Sequence, residues 1–262
     1  MSSNASDHGL RALPAGAPGP LYRQVRRELQ HVMESGRYVP GDTLPNESVM
    51  SQALGVSIGT LRRAVDELVH EHVLVRQQGR GTFVALHSDD RFLFQFFHVE
   101  PRQVAATGQP PLGREYPHVE CVAFARGKAE EAEASALNIR PGEPVVRIDN
   151  RLSLAGRPVV HDRLILPGLT FRGLTEQRFI QRPGTVYSLY QSDHGITVLR
   201  ARERARATAA SRDTARILGV AIGLPVLEVH RVALTFGERA VEYRISTIDT
   251  TGHDYVSLLS KP

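Results

Sequence analysis

The sequence has few of the features that mark a secreted or membrane-spanning protein. Cys121 is the only cysteine among 262 residues, so an intrachain disulfide is excluded and a reducing compartment is favoured. Because Cys121 lies in an alternating strand pattern, we expect a buried structural thiol. No apolar run reaches the roughly 18 residues of a transmembrane helix, and residues 1–19 lack the apolar core of a signal peptide. We therefore expect a cytoplasmic protein with no membrane segment, whose residues 1–19 form a disordered arm.

The sequence also lacks the patterns of metal, cofactor and catalytic sites. Its 11 histidines show no ligand spacing, and His70 and His72, two apart on a predicted helix, point to different sides. No spaced acid, base or nucleophile motif stands out. We predict no metal, no cofactor and no catalytic residue.

Composition and charge allow two domains but do not by themselves identify a partner. Hydrophobic residues make up 41% and charged residues 23% of the chain, and its length suits two cores. The pI of about 9.5 favours a nucleic-acid partner, yet residues 20–86 hold eight arginines and seven acidic residues, a net charge of +1. DNA binding would therefore depend on a local patch. The patch would hold Arg62, Arg63, Arg76 and Arg80. The acids Asp66, Glu67 and Glu71 trail toward the far end of their helix.

Residues 21–84 predict a helix, a helix-turn-helix and a hairpin. The first helix runs from Leu21 to Glu34, with Leu21, Val25, Leu29 and Val32 facing inward. In the stretch SVMSQALGVSIGTLRRAVDELVHE, Gly55 permits the positive φ of a short turn and Ser57 is a good N-cap. An apolar stripe at helical spacing follows, formed by Leu61, Ala64, Val65, Leu68 and Val69. Two short strands, 73–76 and 82–85, then flank a glycine-containing tip and form a wing.

The polar side of the helix that follows Ser57 can enter a DNA major groove. The residues expected to contact DNA, on this helix and on the wing, are Ser57, Ile58, Thr60, Arg62, Arg63, Arg76, Gly79 and Arg80. Ile58 cannot hydrogen-bond a base, so it either contacts a thymine methyl or packs between helices. Gly59 costs about 1 kcal/mol against alanine inside a helix, which suggests close approach of the backbone to DNA.

From Phe92 the hydrophobic period changes to two, which predicts antiparallel strands with a few covering helices. Strands are expected in RFLFQFFHV, HVECVAFA, VVRIDNRLSL, VVHDRLIL, ITVLRARERARAT, VLEVHRVALTF and AVEYRISTID. Hairpin turns are expected at Gly156-Arg157 and Gly237-Glu238, and helices at 129–138, 185–194 and 211–219. The fold class is therefore α+β, with the polar segment 87–91 as a linker between residues 20–86 and residues 92–262.

Both halves resemble known families. The first half is similar to the winged helix of GntR-type bacterial repressors in Leu21-Tyr22, Pro40-Gly41-Asp42, Leu44-Pro45, Leu54-Gly55-Val56-Ser57, Thr60-Leu61-Arg62 and Gly79-Arg80-Gly81-Thr82-Phe83-Val84. The second half resembles the UTRA domain of the HutC subfamily in Pro141-Gly142-Glu143-Pro144, Gly156-Arg157-Pro158-Val159, Leu166-Pro167-Gly168-Leu169, Gly223-Leu224-Pro225-Val226 and Ala240-Val241-Glu242-Tyr243. This resemblance implies an antiparallel α/β domain with the chorismate-lyase fold, which binds an effector and dimerises. Ile58 and Ser48 depart from the family, since relatives often carry DNA-contacting basic residues there. Residues 250–254 also depart, because relatives often have an aspartate-arginine pair near the end.

The UTRA resemblance implies an effector pocket that includes Arg147 and Glu242. Strand alternation puts Arg147, Asp149 and Arg151 on one face, and a turn at Gly156-Arg157 would set Arg151 opposite Asp162. Arg147 suits a carboxylate or phosphate, because its planar fork binds such oxygens bidentately. The alternative is a set of cross-strand ion pairs, Arg151 with Asp162 or Arg231 with Glu242. The residues expected to contact the effector are Arg147, Arg163, Thr185, Tyr187, Glu242 and Arg244.

Two further features of the second half have competing interpretations. The stretch Gly184-Thr185-Val186-Tyr187 resembles the start of a family helix, where Thr185 either caps the helix or helps to form an anion site. Arg200, Arg202, Arg204 and Arg206 alternate along one strand. For these arginines we expect a solvated face or a subunit contact rather than a ligand site.

These observations predict a ligand-responsive DNA-binding transcriptional regulator and not an enzyme. We expect a repressor that binds a double-stranded, pseudo-palindromic operator as a homodimer and is released by a small, anionic metabolite. The alternative is an enzyme with a chorismate-lyase-like domain, which would not need the winged helix. Two other GntR branches are disfavoured. An aminotransferase-like domain needs a longer chain and a Schiff-base lysine, whereas only Lys128 and Lys261 occur, and an all-helical effector domain conflicts with the strand pattern.

Overall fold

The computed structural model describes residues 8–14, 18–39, 41–71, 73–85, 99–102 and 117–256. The chain divides into two compact units, Met1–His87 with Tyr190–Leu199, and Ser88–Leu189 with Arg200–Pro262. The predicted linker 87–91 and most of the predicted strand RFLFQFFHV lie outside the described residues. Among the residues described, no helix is long and apolar enough to cross a membrane, and no group of three or more His, Cys, Asp or Glu side chains could hold a metal ion.

The first unit contains the helix, helix-turn-helix and wing that the sequence predicts. Its elements are α1 (Leu21–Glu34), α2 (Glu47–Leu54), α3 (Ile58–His70), β1 (Leu74–Gln77) and β2 (Gly81–Val84). The Asn46 side chain caps α2 by accepting from the Val49 amide at 2.9 Å, and Gly55 ends α2 with a φ of 68°. Ser57 then caps α3 by accepting from the Thr60 amide at 3.2 Å. These caps fix the tight turn between α2 and α3.

The core of the first unit is the apolar stripe of α3 packed against α1 and α2. Leu61, Val65 and Leu68 are fully buried, as the helical spacing predicts. Leu21 was expected to face inward, but its side chain is 54% exposed, because it occupies the first turn at the end of α1. The wing strands β1 and β2 pair antiparallel, with Leu74 opposite Val84.

Part of the predicted disordered arm packs against the winged helix. Leu10 is only 8% exposed, the Leu13 amide donates to the Leu54 carbonyl at 3.2 Å, and the Tyr38 hydroxyl donates to the His8 carbonyl at 3.2 Å. The expectation of disorder is therefore wrong for residues 8–14. The apolar Leu10 and Leu13 gave a sequence signal, which the polar and proline-rich composition around them obscured.

The second unit is built on a six-stranded antiparallel sheet in the order β4-β5-β6-β9-β8-β7. Its strands are β4 (His118–Lys128), β5 (Pro144–Leu154), β6 (Arg157–Pro167), β7 (Arg200–Ala209), β8 (Pro225–Leu234) and β9 (Ala240–Ile248). A separate pair joins β3 (Val99–Pro101) to β10 (His253–Tyr255). The helices are α4 (Glu131–Leu137), α5 (Glu176–Ile180), α6 (Val186–His194) and α7 (Arg212–Leu218). The predicted α+β class is confirmed, although the short helix α5 was not predicted.

Register across the sheet assigns its side chains to two faces. Arg147 pairs with Ile165, and Ile165 pairs with Tyr243, so these three residues share one face. Helix α4 packs on that face through Ala134 and Leu137, and we call it the α4 face. Glu242 and Arg244, the neighbours of Tyr243, point to the opposite side, which we call the Glu242 face.

Two turn predictions differ in outcome. The β5–β6 hairpin turns at Ala155 and Gly156, with φ of 48° and 74°, one residue earlier than expected. The β8–β9 connection passes through Gly237 and Glu238, both at positive φ, as expected. Cys121 is only partly buried, because it lies at an irregularity of strand β4, so the expected buried thiol is wrong.

Candidate functional site

The first turn of α3 presents an open surface. The side chains of Ser57 and Thr60 hydrogen-bond to each other at 2.9 Å, and Ile58 is 41% exposed. Ile58 is therefore not buried between helices. A Cβ on Gly59 would have only the Ser57 hydroxyl oxygen as a neighbour, at 4.0 Å. This turn can approach a partner without steric interference from the protein itself.

Two of the predicted DNA-contacting arginines are held by surface carboxylates. Arg62 Nε lies 2.6 Å from Glu47 Oε2, while Arg76 pairs with Glu47 at 3.4 Å and with Asp66. Asp66 was expected to trail away from the DNA side, but it faces the wing and partly neutralises it. Exposed ion pairs of this kind are worth about 0–1 kcal/mol, so a phosphate can replace the carboxylate at small cost.

The other basic residues of this surface lie on aromatic rings. The Arg63 guanidinium is 4.0 Å from the centroid of the Tyr22 ring, and Arg80 is 5.8 Å from that of Phe83. Gly79 has a φ of 72° and forms the tip of the wing beside Arg80. Stacking on Tyr22 limits the rotamers of Arg63. All eight predicted DNA contacts therefore lie on α3, at its N-cap or on the wing.

The Glu242 face holds a buried network of charged groups. The Glu242 carboxylate is fully buried and accepts from the Tyr187 hydroxyl at 3.1 Å. Arg244 donates to both oxygens of Glu242, at 2.9 and 3.0 Å, and its Nη1 donates to Asp162 at 3.0 Å. Asp162 also accepts from the Ser246 hydroxyl at 2.6 Å.

The network fixes the protonation of its members. Burial and the negative charge of Glu242 raise the pKa of Tyr187 far above its ordinary value, so the phenol remains a donor. Burial alone would lower the pKa of Arg244, but Asp162 and Glu242 hold it well above its ordinary value. The network therefore keeps a permanent cation between two carboxylates.

A second buried arginine on the same face pairs with a carboxylate of another strand. Arg231 is only 5% exposed and pairs with Glu203 on the neighbouring strand. Glu203 also accepts from the Tyr255 hydroxyl at 2.5 Å. A charged residue inside the apolar strand VLEVHRVALTF was a signal for this contact, but the strand register was needed to identify Glu203.

The start of α6 lies next to this network along the chain. Thr185 Oγ1 accepts from the Ser188 amide at 3.1 Å, so Thr185 caps the helix as expected. Tyr187, two residues further on, reaches Glu242. The structure therefore brings together Thr185, Tyr187, Glu242 and Arg244 from the predicted effector set.

Arg147 and Arg163 are separated from that group by the sheet, because they lie on the α4 face. Arg147 forms a bidentate pair with Glu133 of α4, at 2.7 and 2.6 Å, and Arg163 Nε lies 2.7 Å from Asp149. The expectation that Arg147 shares a pocket with Glu242 is therefore not met. Alternation along one strand could not reveal this, because the relative facing of two strands depends on their register.

The expected pairing of Arg151 with Asp162 is wrong. Residue Asn150, not Arg151, lies opposite Asp162, and the register shifts between Leu152 and Ser153. Arg151 instead pairs with Glu120 at 2.5 Å. The turn at Ala155 and Gly156 would set Arg151 opposite Val160, and the β-bulge moves its partner one residue further, to His161. No residue pattern at this hairpin signals either change.

Comparisons with known proteins agree with this architecture. The sequence model for "Bacterial regulatory proteins, gntR family" matches residues 21–84. The model for the UTRA domain matches residues 112–253, which is more than half of the chain.

Similar curated proteins are transcriptional repressors. The repressor NagR of Bacillus subtilis is 25% identical over 94% of this chain and 97% of its own length. A histidine utilization repressor of Pseudomonas aeruginosa is 32% identical over 55% of this chain and 56% of its own length.

A solved structure extends the agreement to the second unit. The ligand-binding domain of a GntR-family transcriptional regulator from Bordetella bronchiseptica is 34% identical, with a TM-score of 0.55, covering 62% of this chain and 96% of that one. The winged helix, the six-stranded antiparallel sheet and both family matches lead to one assignment. The chain belongs to the gntR-type bacterial transcriptional regulators that carry a UTRA domain.

Proposed function

We propose that this regulator is a repressor that binds its operator as a homodimer and leaves it when a small anionic metabolite occupies the UTRA domain. Relatives with near-complete coverage support repression, since they are named as repressors. Two recognition helices must lie about 34 Å apart, one DNA turn, to read two half-sites. A modest change in their separation therefore suffices to lower affinity.

The single observation that carries this proposal is the buried network of Glu242, Arg244 and Asp162. Burying charges costs free energy that even well-formed pairs recover only in part. A cluster of such groups in one domain is typical of a binding site. An anionic ligand that replaces one carboxylate partner of Arg244 would keep the guanidinium paired, and the Tyr187 hydroxyl, which donates to Glu242, lies beside it. The Thr185 cap places a helix N-terminus, which favours anions, beside them.

On the DNA side, we propose that Ser57, Ile58, Thr60 and Arg62 meet the major groove. Arg63, Arg76, Gly79 and Arg80 would contact the phosphate backbone from the helix and the wing. The open turn at Gly59 permits close approach, and Ile58 offers an apolar contact to a thymine methyl. Operator affinity should fall steeply with salt, because each neutralised phosphate releases counterions.

The test is a gel shift on DNA from upstream of the protein's own gene, with a salt series and a panel of anionic metabolites. We expect specific binding that one compound releases. Tyr187→Phe should retain operator binding but respond to that compound only at a higher concentration. Arg163→Gln, on the α4 face, is the matched control and should respond as the wild type does. An equal loss of response in both variants would contradict the placement of the effector on the Glu242 face, and absence of specific DNA binding would contradict the proposed repressor.

A further inference from the structure

The α4 face contains a groove that the effector proposal does not use. Its volume is about 590 Å³, and it lies between α4 and the edge strand β7. The basic side chains that line it are Arg202, Arg204 and Arg206, and His230 and Tyr243 stand behind them. Small residues of α4, Ala132 and Ala136, form part of the opposite wall. The groove is thus basic on one side and apolar on the other.

One of the three arginines is already compensated. Arg206 Nη2 lies 2.6 Å from Glu228, and His230 Nε2 lies 2.7 Å from the same carboxylate. The other ring nitrogen of His230 lies 2.5 Å from the Tyr243 hydroxyl. Burial alone would raise the pKa of Glu228, but hydrogen bonds from His230 and Arg206 hold it below its ordinary value. Glu228 therefore stays ionised and neutralises the charge of Arg206.

Arg202 and Arg204 differ from the other sheet arginines described above. Arg147, Arg151, Arg163, Arg231 and Arg244 each have a carboxylate partner. Arg202 and Arg204 make no ion pair or side-chain hydrogen bond with the residues that the structure describes. They are two positions apart on β7, so their side chains leave the same side of the strand about 6.6 Å apart. Two guanidinium groups are thus directed to one groove without an internal anion.

We propose that this groove binds a small polyanion that carries phosphoryl or carboxylate groups, at a site separate from the effector site on the Glu242 face. The guanidinium fork of arginine matches both kinds of oxygen bidentately. Two such forks at strand spacing suit two anionic groups of one molecule. The alanine wall of α4 accommodates the uncharged part of the ligand. The six-stranded sheet separates the groove from Glu242 and Arg244, so each site can be altered without the other.

The experiment is isothermal titration of the full chain with inorganic pyrophosphate and, separately, with succinate, which distinguishes the two ligand chemistries. The double variant Arg202→Ser, Arg204→Ser should bind the preferred probe at least tenfold more weakly than the wild type. Arg200→Ser with Arg212→Ser is the matched control. It removes the same charge, but Arg200 pairs with Glu238 and neither residue lines the groove. This control should bind within twofold of the wild type.

Other outcomes would overturn the proposal. The proposal fails if the wild type binds neither probe, or if the groove variant retains binding. Equal weakening in the control would also overturn it, because the binding would then depend on net charge alone. Loss of pyrophosphate binding in Tyr187→Phe would place the anion on the Glu242 face instead. Weaker operator binding by the groove variant, with unchanged binding of both probes, would identify duplex DNA as the occupant. A thermal melt of each variant checks folding, and the exposed positions of Arg202 and Arg204 predict melts like that of the wild type.

Discussion

The winged helix and the six-stranded sheet hold their arginines in opposite ways. The Arg62 side chain is 62% exposed and shares the carboxylate of Glu47 with Arg76. The Arg244 side chain is 15% exposed, and its partner Glu242 is fully buried. In water the first kind of pair can exchange its carboxylate for a phosphate at little cost. The second kind cannot be broken without leaving a charge unpaired in the protein interior.

This difference shows how one residue type serves two purposes. On the winged helix, weak pairs keep the arginines at the surface, where an anion can reach them. In the sheet, strong pairs hold Arg244 and Glu242 in fixed positions in the protein interior. Four substitutions test this contrast.

The largest effect is expected from Glu242→Ala, which leaves Arg244 buried with Asp162 as its remaining carboxylate. Removal of one member of a buried pair costs about 3–5 kcal/mol, so the free energy of unfolding of the second unit should fall by that amount. Urea denaturation measures it. The surface counterpart Glu47→Ala should cost less than about 1 kcal/mol. Similar losses in the two variants would remove the distinction between the two kinds of pair.

If Arg62 contacts a base, Arg62→Ala should weaken operator binding by about 1–3 kcal/mol. If it contacts a phosphate, the slope of log affinity against log salt concentration should fall in magnitude by about 1. Stability should change by less than about 0.5 kcal/mol, since the side chain is exposed. A gel shift over a salt series separates the two results. Arg27→Ala, an exposed position on α1, is the control and should bind as the wild type does. A melt shifted as strongly as that of Glu242→Ala would show that Arg62 is structural.

Acid should weaken the α4 face through Asp149. Burial alone would raise its pKa, but hydrogen bonds from His161 and Arg163 hold it below the ordinary value of 3.8. Its contribution is therefore fully present above the unfolded pKa and is lost as pH falls through the folded one. Asp149→Asn should cost about 1–2 kcal/mol at neutral pH and flatten the loss of stability below about pH 4. Denaturation midpoints measured from pH 7 to pH 3 test this, and an unchanged slope would rule out Asp149 as a cause.

The smallest effect should come from Glu47→Gln, and its sign is opposite to that of Arg62→Ala. The Glu47 carboxylate competes with DNA phosphates for Arg62 and Arg76. Its removal should therefore raise operator affinity by a few-fold, or less than about 1 kcal/mol. Fluorescence anisotropy with labelled operator measures the change. Glu34→Gln, an exposed carboxylate at the end of α1, should leave affinity unchanged. Weaker binding by Glu47→Gln would mean that Glu47 positions the arginines for DNA rather than competing for them.

Local signals in the sequence predicted most of the fold. Ser57, Gly55 and the apolar stripe of α3 specify their own turn and helix through short-range chemistry, and α1 begins and ends where the spacing indicates. Likewise, a period of two predicted the strands of the second unit. Helix α5 has five residues, which is too short to show a helical period, so the pattern could not reveal it.

The site was less predictable because its geometry depends on contacts between distant strands. The early turn at Ala155 and Gly156 set Arg151 opposite His161 instead of Asp162, with the bulge offsetting part of the shift, and register placed Arg147 and Glu242 on different faces. Asp66 was assigned to the wrong side because a helical spacing does not show where the wing folds back. Residue types thus predicted which side chains are charged. Which of them pair with each other is decided by the register of the strands.

The position of β7 at one side of the sheet has a consequence for behaviour in solution. The outer edge of a sheet carries unpaired backbone groups and can template the addition of another chain. Here that edge carries Arg202 and Arg204 with no compensating carboxylate among the described residues, so two such edges repel each other. The repulsion weakens with added salt, since the screening length falls from about 10 Å at 0.1 M to about 3 Å at 1 M. Resistance to edge-to-edge aggregation is therefore an electrostatic property of this strand, and it is strongest in dilute buffer.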